Sequence, residues 1–175
     1  MMTDEDIVDF VLNYEGPPHL DPGDPGGETK WGMTKPTWEA ITLRRGEGLP
    51  FAEISRSDIA VGVFWYYFLY LGIAKVQSSA GKLALFDLCY LQGVHALCEC
   101  FIMDKFPSES DPAGYKGILQ EAALMTPRSL VIHVSQYRLS EFYHDLDRNP
   151  FHPFAWGWVN RLRLIVQRCQ AELAA

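Results

Sequence analysis

"YEGPPHLDPGDPGGETKWGMT", residues 14–34, decides how the rest of the chain is read. Ahead of it, Ile7, Val8, Val11, Leu12 and Tyr14 recur at helical spacing behind Thr3 and Asp6, a capping-box pair. Gly16, Pro17 and Pro18 end that helix, since proline can neither donate its backbone hydrogen bond nor fit the next turn. Beyond the stretch, Thr34 and Pro36 open a second helix that runs to Gly46. Turn residues explain a connector. They do not explain carboxylates at Glu15, Asp21, Asp24 and Glu28 placed around them.

Working outward, helix periodicity is common and strand alternation rare. A third helix is expected from Ser55–Ser57 to near Gly72, and two more flank Gly93, over about 80–91 and 94–104. "PSESDPAGYKG" (107–117) reads as a loop. A long helix follows Pro127, with Leu130, Val134 and Tyr137 on one face. "NPFHPFAWG" (149–157) interrupts, and the last helix carries Trp158, Leu162, Ile165, Val166, Cys169 and Leu173 at helical spacing. The prediction is an all-α protein of one domain, 1–175, with its site in segment 1–46 and a helical core over 47–175.

Composition narrows the function classes. At 175 residues, 48% hydrophobic and 21% charged, the chain can bury a sizeable core. Its net charge of −7 argues against nucleic acid and against electrostatic docking on an anionic membrane. The longest uncharged run, between Asp58 and Lys75, is shorter than the ~20 residues of a membrane helix. The acidic start "MMTDEDIVDF" lacks the features of a signal peptide. Cys89, Cys98, Cys100 and Cys169 fit buried free thiols, and the scattered histidines show no metal-ligand spacing, so neither metal nor cofactor is expected.

Glu15 stands at the carboxyl end of its helix, where the macrodipole disfavours an anion. Partial burial there raises a carboxyl pKa, as a general acid requires. Nine residues on, Asp24 sits on a loop fixed by glycine and proline, and Thr29 follows. Two carboxylates across a scissile bond are the minimal equipment for glycoside hydrolysis. Glu28 and Trp31 suit sugar hydroxyls and sugar faces. Each residue has a plainer alternative: a solvated helix end for Glu15, a turn for Asp24, core packing for Trp31. Arg161, Arg163 and Arg168 read as a solvated basic face.

At these residues the chain resembles glycoside hydrolase family 108, the N-acetylmuramidases of phage and bacterial lysins. Glu15 and Gly16 match the start of its signature, and Asp24, Pro25, Gly26, Gly27, Thr29, Gly32 and Thr34 the second part. Trp31 stands for the signature's aromatic and Met33 for its Ile. "LFDLCYLQG" retains Phe86, Asp87 and Gly93 of a middle segment, and "WGWVNRLRLI" retains Gly157, Trp158, Asn160 and Arg161 of a closing one. The resemblance implies a lysozyme-like helical domain that cleaves peptidoglycan between N-acetylmuramic acid and N-acetylglucosamine. It implies Glu15 as the acid, Asp24 and Thr29 as its helpers, and Glu28, Trp31 and Thr34 along the glycan. Without a signal peptide, such a protein would be made in the cytoplasm and reach the periplasm or cell wall through a holin, a secretion machine or phage delivery. Pro17, Pro18 and Leu91 depart from the signature, and Phe68 and Leu69 replace its Tyr-Trp in one register. These departures keep two alternatives open: a binding module of the same fold without turnover, and a lytic transglycosylase.

Overall fold

The computed structural model describes residues 1–15, 19–20, 28–46, 49–101, 112–148 and 155–175. Among them are eight helices: α1 (Asp4–Leu12), α2 (Lys35–Arg45), α3 (Arg56–Val63), α4 (Ser79–Gln92), α5 (His95–Cys100), α6 (Pro112–Leu124), α7 (Pro127–Arg148) and α8 (Ala155–Ala174). A π-helical segment, Phe64–Leu71, continues α3, and short 3-10 turns lie at Phe51–Glu53 and Ile73–Lys75. The fold is mostly α-helical, as expected. It adds a three-stranded antiparallel sheet of β1 (His19–Leu20), β2 (Glu28–Lys30) and β3 (Met33–Thr34). Strands this short leave no alternation to read in a sequence.

Local chemistry explains the helix ends. Both bonds of the Thr3/Asp6 capping box form, at 2.9 and 3.1 Å. Thr34 caps α2, and Gly46 closes it in the left-handed region, as the sequence indicates. Helix α1, however, ends at Leu12 and not at Gly16. The N–H groups of Tyr14 and Glu15 donate to the carbonyls three residues back, Val11 and Leu12, at 3.1 and 3.3 Å. This tighter winding takes Tyr14 off the apolar face, so it is exposed instead of buried.

Three expectations fail further on. Residues 112–117, read as part of a loop, open α6. Pro112 suits a first turn, and Tyr115, Ile118, Leu119 and Ala122 form its buried stripe. The glycines at 114 and 117 mask that periodicity. Helix α5 also stops at Cys100, short of 104. The final stripe holds for Leu162, Ile165 and Cys169 but not for Leu173, which is exposed. There Glu172 faces the body instead, accepting from Met2 N–H at 2.7 Å and Ser79 Oγ at 2.8 Å.

One cluster of buried side chains joins α1, α4, α7 and α8. All four cysteines are free and buried. Among the described residues, no helix is long and apolar enough to cross a membrane.

Candidate active site

The tight turn after α1 delivers Glu15 to the turn of the β2–β3 hairpin. Its Oε1 accepts a hydrogen bond from Arg161 Nη1 of α8. Its Oε2 lies against Gly32, where an added Cβ would come within 2.5 Å of that oxygen and 2.6 Å of the carboxyl carbon. Trp31 and Gly32 are the two turn residues between the paired Lys30 and Met33, and both have positive φ, 48° and 78°. Positive φ at both centres is the condition of a type I′ hairpin turn, which matches the twist of its strands. Glycine at 32 is therefore fixed twice, by the turn and by the carboxyl group packed on it. Trp31 accepts the strain of positive φ, and its carbonyl takes a 2.6 Å hydrogen bond from Tyr90 OH of α4.

Behind Glu15 runs a chain of alternating charge. Arg161 Nε donates 2.8 Å to Asp87 Oδ1, and Arg161 Nη2 is ion-paired 2.7 Å from the same oxygen without hydrogen-bond alignment. Arg138 Nη1 donates to Asp87 Oδ2. Asp87 and Arg138 are 0% and 1% exposed. Burial is the largest influence on Glu15 and raises its pKa; Arg161 pulls the other way, and the Asp87 charge pushes it up again. Burial prevails because Arg161 is shared with Asp87. A carboxyl group held above its usual range is what a general acid needs near neutral pH.

Arg161 corrects the sequence reading. Arg163 and Arg168 are exposed, but Arg161 is 9% exposed and belongs to the core charge chain. The signal was present in the spacing, since Arg161, Ile165 and Cys169 fall on one stripe at intervals of four. Val134, Arg138 and Phe142 do the same on α7.

Beside this site lies a cavity of about 320 Å³. The hairpin and α2 form one wall with Gly32, Thr34 and Arg44, and the opposite wall carries Tyr66, Tyr90 and His95. Gly32 and Tyr90 link the cavity to Glu15. Leu91 also lines it, as does Tyr67, so the Phe64–Leu71 segment contributes Tyr66 and Tyr67 to the lining. Phe68 is fully buried and Leu69 points outward.

The remaining candidates are distributed unevenly. Thr34 reaches the cavity, but its hydroxyl also caps α2, 3.4 Å from Thr37 N and 2.9 Å from Thr37 Oγ1. Thr29 is central in β2, opposite His19 and Thr34. Trp31 is half-buried against the core, and Glu28 is exposed at the start of β2. Asp24, with Asp21, Pro17 and Pro18, lies outside the described residues. Among the described residues, no group of three or more His, Cys, Asp or Glu could hold a metal ion.

Residues 8–93 match the family model described as Glycosyl hydrolase 108. This segment belongs to glycosyl hydrolase family 108. The family segment holds Glu15, the hairpin, α2 and Asp87, and thus both walls of the cavity up to Gly93. Arg138 and Arg161, which complete the charge chain, lie beyond it. The fold is similar to that in the structure of Brucella abortus SagA, with 17% identity and a TM-score of 0.67 over 97% of this chain and 94% of that one. No curated protein sequence matches the chain. The family match over this segment supports a glycoside hydrolase of the lysozyme-like type, directed at peptidoglycan.

Proposed function

We propose that the protein is an N-acetylmuramidase that cleaves peptidoglycan glycan between N-acetylmuramic acid and N-acetylglucosamine, with Glu15 as general acid. The observation that carries this reading is the position of Glu15: a largely buried carboxyl group packed on Gly32, which lines the neighbouring cleft, with its pKa raised by burial. Glu15 donates its proton to the glycosidic oxygen as the bond to the anomeric carbon breaks. Arg161 fixes the orientation of the carboxyl group and stabilises the carboxylate left behind. Asp24 orients the attacking water or stabilises the oxocarbenium-like charge, assisted by Thr29. Glu28, Trp31 and Thr34 contact the glycan, and no cofactor takes part. With Asp24 acting through water, the anomeric centre inverts, which requires ~6.5–9.5 Å between the two carboxyl groups.

The test is hydrolysis of purified sacculi by wild-type protein and Glu15→Gln, followed by mass spectrometry and proton NMR of the products. The variant is expected to lose roughly a thousandfold or more in rate, in the range for removing an acid catalyst. An α-anomer is expected first from the β-linked substrate. Clearing at the wild-type rate by the variant refutes Glu15 as the acid. An anhydro-muramic product means transglycosylation instead of hydrolysis.

A further inference from the structure

Helix α7 places Arg138 on its buried stripe, between Val134 and Phe142. The guanidinium lies 5.5 Å from the Phe142 ring centroid, and the residue is 1% exposed. Its Nη1 donates to Asp87 Oδ2 of α4, while Nε and Nη2 have no acceptor among the described residues. Arg138 therefore directs its charge at one carboxylate. An ion pair buried this deeply regains little more than its desolvation costs, so stability is a weak reason for its presence. Among the described residues lining the cavity, none belongs to α7, so Arg138 acts on the cleft only through its neighbours.

Those neighbours form a relay. Asp87 divides its oxygens, giving Oδ2 to Arg138 and Oδ1 to Arg161. Arg161 divides its guanidinium in turn: Nε and Nη2 lie against Asp87, and Nη1 donates to Glu15. Asp87 is 0% exposed, so no bulk water competes for its charge. In such surroundings each opposite charge is felt strongly. Arg138 answers Asp87 on one side, which leaves Arg161 with charge to offer Glu15 on the other. Without Arg138, Asp87 would claim Arg161. The carboxylate that Glu15 becomes on giving up its proton would then lose its counter-ion.

We infer that Arg138 is a positioning residue for the acid step: by holding Asp87 Oδ2, it keeps Arg161 available to stabilise the carboxylate formed at Glu15. The inference rests on the reading of Glu15 as general acid. Among the described residues, the charged groups acting on Glu15 are Arg161 of α8, Asp87 of α4 and Arg138 of α7, and Tyr90 of α4 is the further titratable neighbour. Beyond burial, the largest influence, Arg161 and Arg138 favour the ionised form of Glu15 and Asp87 disfavours it. Loss of Arg138 removes its own pull and also turns Arg161 toward Asp87, so both effects hold the proton on Glu15. Loss of the Asp87 charge acts with the opposite sign.

Carbon-13 NMR titration of the Glu15 carboxyl carbon, assigned by its absence in Glu15→Gln, tests this apart from turnover. The full-length chain is compared as wild type, Arg138→Met, Arg138→Lys and Asp87→Asn, each checked for folding by near-ultraviolet circular dichroism. Arg138→Met should move the midpoint up by about one pH unit, the effect of weakening one opposite charge nearby. Arg138→Lys keeps the charge and should restore the midpoint, whereas Asp87→Asn should move it down. A merely structural role would move both charge-removing variants the same way or not at all. Where a single variant does not fold, Asp87→Asn/Arg138→Met takes its place, because it removes the buried pair together. With Asp87 neutralised the relay is already cut, so this double variant should also titrate below wild type. On a soluble glycan oligomer, Arg138→Met should lower kcat about tenfold with KM little changed, and the alkaline limb of kcat/KM should follow the NMR midpoint. An unmoved or lowered midpoint in Arg138→Met overturns the inference, as does Arg138→Lys titrating like Arg138→Met or a double variant that does not fall below wild type. A wild type that cuts nothing sinks the hydrolase reading, and the relay then stands or falls by the titration.

Discussion

Two groups of cations flank the cleft and are held in opposite ways. Arg138 and Arg161 are buried and share the carboxylate of Asp87, and Arg161 also donates to Glu15. Arg44, Arg45 and Lys116 are half-buried and lie over aromatic rings. Removing the partner of a buried charge exposes its full desolvation penalty, whereas a half-exposed cation keeps much of its hydration. The first group fixes geometry around Glu15, and the second braces the aromatic residues beside the cleft. The difference teaches that burial, and not charge, separates a cation that fixes a carboxylate from one that packs on an aromatic surface.

The largest effect should come from breaking the buried group at its shared acceptor. Asp87→Asn leaves two buried guanidiniums with Glu15 as their remaining carboxylate, so a loss of about 3–5 kcal/mol is expected in denaturant unfolding. Arg138→Met should cost distinctly less, because Asp87 keeps Arg161. Equal losses in the two variants would remove Asp87 from the centre of the network.

Next in size is Gly32→Ala. The added methyl group enters a positive-φ turn and meets the Glu15 carboxyl group at about 2.5 Å. Backbone strain of about 1–2 kcal/mol and a displaced Glu15 should lower both stability and hydrolysis. Unchanged activity would show that the carboxyl group can leave Gly32 and still work.

Tyr90→Phe removes the hydroxyl that ties the Trp31 carbonyl to α4. About 1 kcal/mol is expected, with protection of the hairpin amides reduced in hydrogen exchange. Loss spread over all helices instead would show that the tie serves the whole core.

The smallest effect is one of slope. The folded-state pKa of Glu15 is raised above its ordinary value of 4.5. The folded protein therefore holds this proton more tightly than the unfolded chain. The associated stability is full below the unfolded value and is lost as pH rises through the folded one. Melting curves across that window should show wild type losing stability relative to Glu15→Gln as pH increases. A parallel pair of curves would show that Arg161 has cancelled the effect of burial.

The sequence by itself determined most of the helical frame. Thr3, Thr34 and Ser55 begin helices, and Gly46 and Gly72 end them, because caps and positive-φ glycines act within one turn of chain. The family signature singled out Glu15, Gly32 and Thr34, since its glycines and carboxylates lie close together along the chain. Helix α6 escaped notice because two glycines hid its apolar stripe, and the sheet did because its strands are too short for a pattern. The tertiary structure alone decided what surrounds Glu15. Arg161 stands 146 positions away in sequence from the carboxylate it holds, and Asp87 and Arg138 are 51 apart. Helical spacing shows that these charges fall on buried stripes, but which opposite charge meets each one depends on how α4, α7 and α8 pack together. Local sequence fixes turns and faces through short-range sterics and hydrogen bonds. Long-range pairing exists only after the core has closed and excluded the water that would otherwise solvate each charge.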